Sequence, residues 1–148
     1  MHRLLTLFAV LGLLTFAPAQ ASQTSPNGSL FLNLTTDDTW SAAKAIHFAH
    51  ERVLASGRPV AIWMNVRAVY LAERGRPSHV PGLMREADRS IHDMLRDFMA
   101  AGGRVIMCRA CSAAAGLELD DYIEGVEMGA WPEVEALLFA PGAQTLAW

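Results

Sequence analysis

The 148-residue sequence predicts a three-layer α/β/α domain on a mainly parallel five-stranded sheet. Three observations carry that prediction. Apolar runs of strand length alternate with stretches of helical periodicity along the whole chain after residue 29. Residues 59–64 are apolar at successive positions within the expected strand 59–66, as in a strand covered on both faces. Helical stretches are closed by glycines, at Gly57, Gly102-Gly103 and Gly116. Strand–helix alternation of this kind implies right-handed crossovers, with ligands bound beyond the carboxyl ends of the strands.

Each element has its own signal. Leu30, Phe31, Leu32 and Leu34 give the first strand over 30–34, after a Gly28-Ser29 turn. The polar loop 35–39 holds Asp37 and Asp38 as N-capping residues. Ala42, Ala43, Ile46, Phe48, Ala49, Val53 and Leu54 then recur at helical spacing up to Gly57. Residues 59–66 form the second strand. Residues 67–82, with Gly75, Pro77 and Pro81, read as a long loop with a strand extension at 68–71. The second helix spans 85–101, with Ala87, Ile91, Met94, Leu95 and Phe98 on one stripe. A third strand over 104–107 runs straight into Cys108. A short helix at 112–115 follows, then one further turn within 117–123 and a fourth strand at 125–128. The last helix covers 131–139, with Pro132 at a tolerated early position, and the last strand covers 144–148.

The N-terminus reads as a targeting segment. Met1-His2-Arg3 is a positive start, residues 4–16 form an almost unbroken apolar run, and Ala19-Gln20-Ala21 is a small-x-small cleavage signal. The apolar run is short for a membrane span, so residues 1–21 are expected to be a cleavable signal peptide cut after Ala21. No cysteine follows for lipid anchoring. Residues 22–29 are expected to be a disordered lead-in, and residues 30–148 a single domain. The expected location is periplasmic or secreted, with no membrane association after cleavage.

Composition narrows the partners. The formal net charge is −3, and removing the leader with Arg3 makes it one unit more negative. Lys44 is the only lysine, and no basic face is available for nucleic acid. The acidic stretch around Asp120, Asp121 and Glu124 reads as a solvated face. Trp40, Trp63, Trp131 and Trp148 read as core or subunit contacts, and a chain ending on Trp148 implies a packed terminus.

The chemistry concentrates at Cys108-Arg109-Ala110-Cys111. These are the only two cysteines, and a bridge across two residues closes almost no loop, so its stapling value is small. At a strand-to-helix turn, unpaired N–H groups and the helix dipole stabilise a thiolate and should lower the Cys108 pKa, with Arg109 adding to the effect. Cys111, one helical turn on, can resolve a persulfide or mixed disulfide on Cys108. No cofactor and no metal are expected. Two thiolates leave a zinc site half empty, and Met64, Met107 and the histidines, as a copper(I) alternative, show no convincing spacing. His47 and His50 read as a surface pair, and His79 is a candidate acid or base without a fixed position.

The chain resembles the DsrE/TusD-like sulfur-relay family. The likeness rests on the strand 30–34, the helix after Asp38, the strand 60–66, the stretch 103–117 around Cys108 and the segment 123–130. In that family a strand ends in a sulfur-carrying Cys, with an Arg-Gly pair eight residues later; Gly116 stands eight after Cys108. The resemblance assigns the persulfide to Cys108 and implies a DsrEFH-like fold, homo-oligomers and a sulfur carrier or transferase. Ala115 stands where relatives have the Arg, so Arg109 or Arg67 would have to substitute. Its partners would be a sulfur donor and acceptor, or a thiol redox protein. Two other functions fit the residues: an oligomeric binding module for a metal or protein partner, and a dithiol-disulfide oxidoreductase using the C-x-x-C pair.

Overall fold

The computed structural model describes residues 28–76 and 89–148. The expected leader, residues 22–27 of the lead-in, His79 and residues 85–88 of the expected second helix lie outside the described residues. Five strands form one sheet: β1 Leu30–Leu34, β2 Val60–Met64, β3 Arg104–Cys108, β4 Glu127–Gly129 and β5 Gln144–Ala147, in the order β4-β3-β2-β1-β5. All neighbouring pairs are parallel. The expected α/β class and strand count are observed.

The two sheet faces are covered unequally. Leu30, Leu32, Leu34, Val60, Ile62, Met64, Val105 and Met107 share one core with residues of α1 (Thr39–His47) and α2 (Ile91–Ala100). On the other face Phe31, Ala61 and Ile106 pack with Val134 of α4 (Trp131–Leu138). Residues i and i+2 of a strand point the same way, so β1, β2 and β3 each supply both cores. Among the described residues, α4 is the only α-helix sharing the second core.

Local chemistry sets the helix boundaries, and several differ from the expected ones. Asp38 caps α1 by accepting from the Ser41 N–H at 2.8 Å. The expected single helix to Gly57 is three pieces: α1, a π-helical stretch Phe48–Val53 and a 3₁₀ turn Leu54–Ser56. It ends on Gly57 with φ 83°, a left-handed cap that glycine adopts freely. The second helix begins at Ile91, after a capping box in which Ser90 and Asp93 satisfy each other's backbone N–H groups.

The expected strand extension at 68–71 is absent. Val66–Ala72 is a 3₁₀ helix that buries Ala68, Val69, Leu71 and Ala72. Asn65 caps it, and the burial of four of its residues holds it against the core. The third helix, α3, also starts earlier than expected, at Arg109, and runs to Ala115. Gly116 closes it with φ 73°.

A buried polar pair fixes α3. Ser112 is wholly buried, and the Tyr122 hydroxyl donates to its Oγ at 2.7 Å. Removing one partner leaves a buried hydroxyl unsatisfied. Tyr122→Phe is therefore expected to cost about 1–3 kcal/mol, seen as a lower urea midpoint with unchanged m-value; an unchanged midpoint would show that the pair does not hold α3.

Candidate functional site

Register decides which residues meet. Leu34, Met64 and Met107 lie side by side at the carboxyl ends of β1, β2 and β3. One residue further on, Asn65 and Cys108 are neighbours where the backbone turns off the sheet. Cys108 is both the last residue of β3 and the N-cap of α3, with φ −66° and ψ 109°.

The two sulfurs are held differently. Cys108 Sγ lies 2.8 Å from Cys111 Sγ, and both cysteines are free thiols, half-buried. Cys108 Sγ accepts from the Cys111 backbone N–H at 3.4 Å. Cys111 donates its S–H to Asn65 Oδ1 at 3.0 Å, and its sulfur accepts from the Val66 N–H at 3.3 Å. Asn65 Oδ1 also accepts from Val66 N–H at 2.8 Å, and Asn65 Nδ2 reaches Asn33 Oδ1 at 3.5 Å. Cys111 is thus clamped on the β2 side, whereas the polar contacts of Cys108 come from its own helix turn and from Cys111.

The clamp contains the strained residue of the described chain. Val66 has φ 49°, the one positive φ among the described non-glycine residues. A β-branched side chain in that region costs of order 1–3 kcal/mol. The strained turn aims its N–H at both Asn65 Oδ1 and the Cys111 sulfur.

Electrostatics overturn one expectation. Burial pushes the Cys108 thiol above its ordinary pKa, and the hydrogen bond with the Cys111 thiol adds to the rise. The Cys111 N–H works the other way but does not win. A helix of seven residues has fewer than two turns of aligned dipoles, so burial outweighs the expected stabilisation of the thiolate.

The other singled-out residues scatter. Arg109 is exposed, and among the described residues no arginine makes a polar contact with either sulfur. Arg67 is held by Asp37 through bonds of 3.0 and 2.7 Å, and Arg76 joins them at 3.2 Å. Asp37 is therefore the hub of an arginine cluster, which keeps its carboxyl below the usual range, whereas Asp38 alone caps α1. His50 pairs with Glu51 at 3.3 Å and meets Phe98 edge-on. Among the described residues no three His, Cys, Asp or Glu side chains cluster for a metal. Trp148 is tied down: its carbonyl accepts from the Thr35 N–H and hydroxyl, each at 3.0 Å.

Beside Cys108 opens a cavity of about 450 Å³, lined by Trp63, Arg109, Ala110, Ala113, Trp131 and neighbours. Gly129 forms part of its wall, where a Cβ would come within 2.6 Å of Ile106 Cγ2. Neither Cys111 nor Asn65 lines it. Sequence reasoning missed this wall and the Asn65–Val66 clamp. The available signal was a polar Asn directly after an apolar strand, at the ligand end of the sheet.

No known family model matches the chain. Over 88 residues, 59% of its length, it is 33% identical to the uncharacterised protein MK0008 of Methanopyrus kandleri. That match spans 65% of the relative, just under two thirds of its length. The crystal structure of the ychN protein from E. coli superposes with TM-score 0.58 at 21% identity, covering 82% of this chain and 97% of that one. The protein of unknown function MTH1491 from Methanobacterium thermoautotrophicum gives 0.61 at 14% identity, covering 82% and 98%. These likenesses are of fold. The chain is a parallel α/β domain with a DsrE-like fold and a dithiol at the end of its third strand.

Asn65→Ala removes the acceptor of the Cys111 S–H and the cap of the 3₁₀ helix. Sub-stoichiometric alkylation and peptide mapping should then find a larger share of label on Cys111, with stability lower by about 1 kcal/mol. An unaltered split of label between the two cysteines would exclude the clamp.

Proposed function

We propose that this chain is an exported member of the DsrE/TusD-like family that carries sulfane sulfur on Cys108 and resolves it with Cys111. The leader 1–21 would direct it to the periplasm or beyond the cell, leaving residues 22–29 as a lead-in to the 30–148 domain. In the first step the Cys108 thiolate attacks the outer sulfur of a donor persulfide, R–S–SH. A Cys108 S–S bond forms, the donor S–S bond breaks, and R–S⁻ leaves with the electron pair. In the second step the Cys111 thiolate attacks. On the outer sulfur it takes over the persulfide and releases Cys108 as thiolate; on the Cys108 sulfur it forms the Cys108–Cys111 disulfide and releases hydrosulfide.

The observation that carries this reading is the 2.8 Å approach of the two free thiols at the carboxyl end of β3, beside an open cavity. The same approach supports a second reading, a dithiol-disulfide oxidoreductase in which a partner disulfide replaces the persulfide. Partners in either case are a sulfur donor and acceptor or a thiol redox protein. Self-association has large exposed apolar side chains to draw on in Phe139 and Trp40, neither of which lines the cavity at Cys108.

Mass spectrometry after incubation with polysulfide separates the two readings. The carrier gains the mass of one sulfur atom on Cys108 in Cys111→Ser and gains none in Cys108→Ser. A Cys108–Cys111 disulfide in the unsubstituted chain, with no sulfur gain in either variant, would replace the carrier with the oxidoreductase.

A further inference from the structure

The cavity beside Cys108 is walled by the apolar surfaces of Trp63, Trp131, Ala110, Ala113 and Val134, and among the described residues its one charged wall residue is Arg109. Arg109 is exposed and forms no ion pair among the described residues. Among the described residues no carboxylate lines the cavity. Trp131 is 60% exposed although it is among the largest apolar side chains of the domain. About 450 Å³ lies within the range of sites that hold small organic ligands. The Cys111 sulfur, by contrast, is engaged by Asn65 and Val66, outside the cavity wall.

From this arrangement we propose that the cavity is the subsite for the organic group of the sulfur substrate, and that this group is apolar and uncharged or anionic. The proposal rests on the reading of Cys108 as the thiol that meets the incoming sulfur. The substrate class is an organic persulfide or disulfide with an aromatic or branched alkyl group. Inorganic sulfane anions lack the apolar body that the Trp131 wall would bury, and cationic thiols would face Arg109. In the transfer step the leaving R–S⁻ departs into the cavity while Cys111 holds the other side of the Cys108 sulfur.

Methanethiosulfonates test this, because each delivers its S–R group to a thiolate as a mixed disulfide and releases methanesulfinate with the electron pair. In the Cys111→Ser chain, rates of mixed-disulfide formation on Cys108 are followed by mass for benzyl, 2-sulfonatoethyl and 2-(trimethylammonio)ethyl reagents. Each rate is divided by the rate of the same reagent with glutathione at the same pH. The normalised benzyl rate is expected to exceed the trimethylammonioethyl rate by about tenfold, the return on burying part of a ring. Trp131→Ala, or Ala113→Phe filling the cavity from α3, should abolish most of that preference, and Arg109→Glu should reverse the order of the two charged reagents.

Equal normalised rates would overturn the proposal, as would a benzyl preference that survives both Trp131→Ala and Ala113→Phe. So would a chain that sediments as an oligomer and dissociates in Trp131→Ala, because a second copy would then occupy the groove. These reagents need only a thiol and a groove. A protein that fails to take up sulfane sulfur can still show the preference, and a competent carrier can lack it, so the two proposals fail separately.

Discussion

The parallel register that sets Leu34, Met64 and Met107 abreast is the constraint on which the site depends. Parallel strands end together, and the following residues leave the sheet at a common level. At that level Asn65 directly follows β2, and Cys108 is the last residue of β3, paired with Gly129 of β4. A slip of one residue would turn each of these side chains to the opposite face. The buried alternation Leu30, Leu32, Leu34 and Val60, Ile62, Met64 is what forbids that slip. The apolar core thus fixes the chemistry at its rim, and the Ser112–Tyr122 bond fixes α3 behind it.

The dithiol is asymmetric because its neighbours are. Cys111 faces a polar corner whose strained Val66 N–H and Asn65 carbonyl oxygen address its sulfur. Cys108 faces the apolar cavity. Burial is the largest influence on its pKa and raises it above the ordinary thiol value, so its thiolate becomes abundant only as the pH climbs.

Much of the fold was legible because it rests on local signals. The first strand was read to the residue, since a polar loop and a Gly-Ser turn bound it. Parallel burial on both faces was legible in residues 60–64. The helix limits were less so. Nothing in 48–56 announces a π-helical and 3₁₀ continuation, and the buried 3₁₀ helix at 66–72 resembled loop because its apolar residues follow neither a period of two nor one of 3.6. The Ser90–Asp93 capping box was a visible start signal that the apolar stripe reaching back to Ala87 obscured.

The candidate site divides in the same way. The cysteine pair is a contiguous motif and was found from spacing alone. Asn65, Val66, Trp63 and Trp131 reach Cys108 or Cys111 only through the register of distant strands, which no local pattern encodes. The expected lowering of the Cys108 pKa failed because it counted the helix dipole without the burial. The expected substitute for the missing Arg at Ala115 is not found at Arg67, which Asp37 holds.

The central claim is that Cys108 is the open thiol of the pair and Cys111 the clamped one. Limited iodoacetamide labelling of the reduced, unsubstituted chain across a pH series, followed by peptide mapping, tests it most directly. Label is expected first on Cys108, at a rate that keeps rising above the pH at which a free thiol of pKa about 8.5 would level off. First label on Cys111, or a Cys108 rate that levels off at or below that pH, would contradict it.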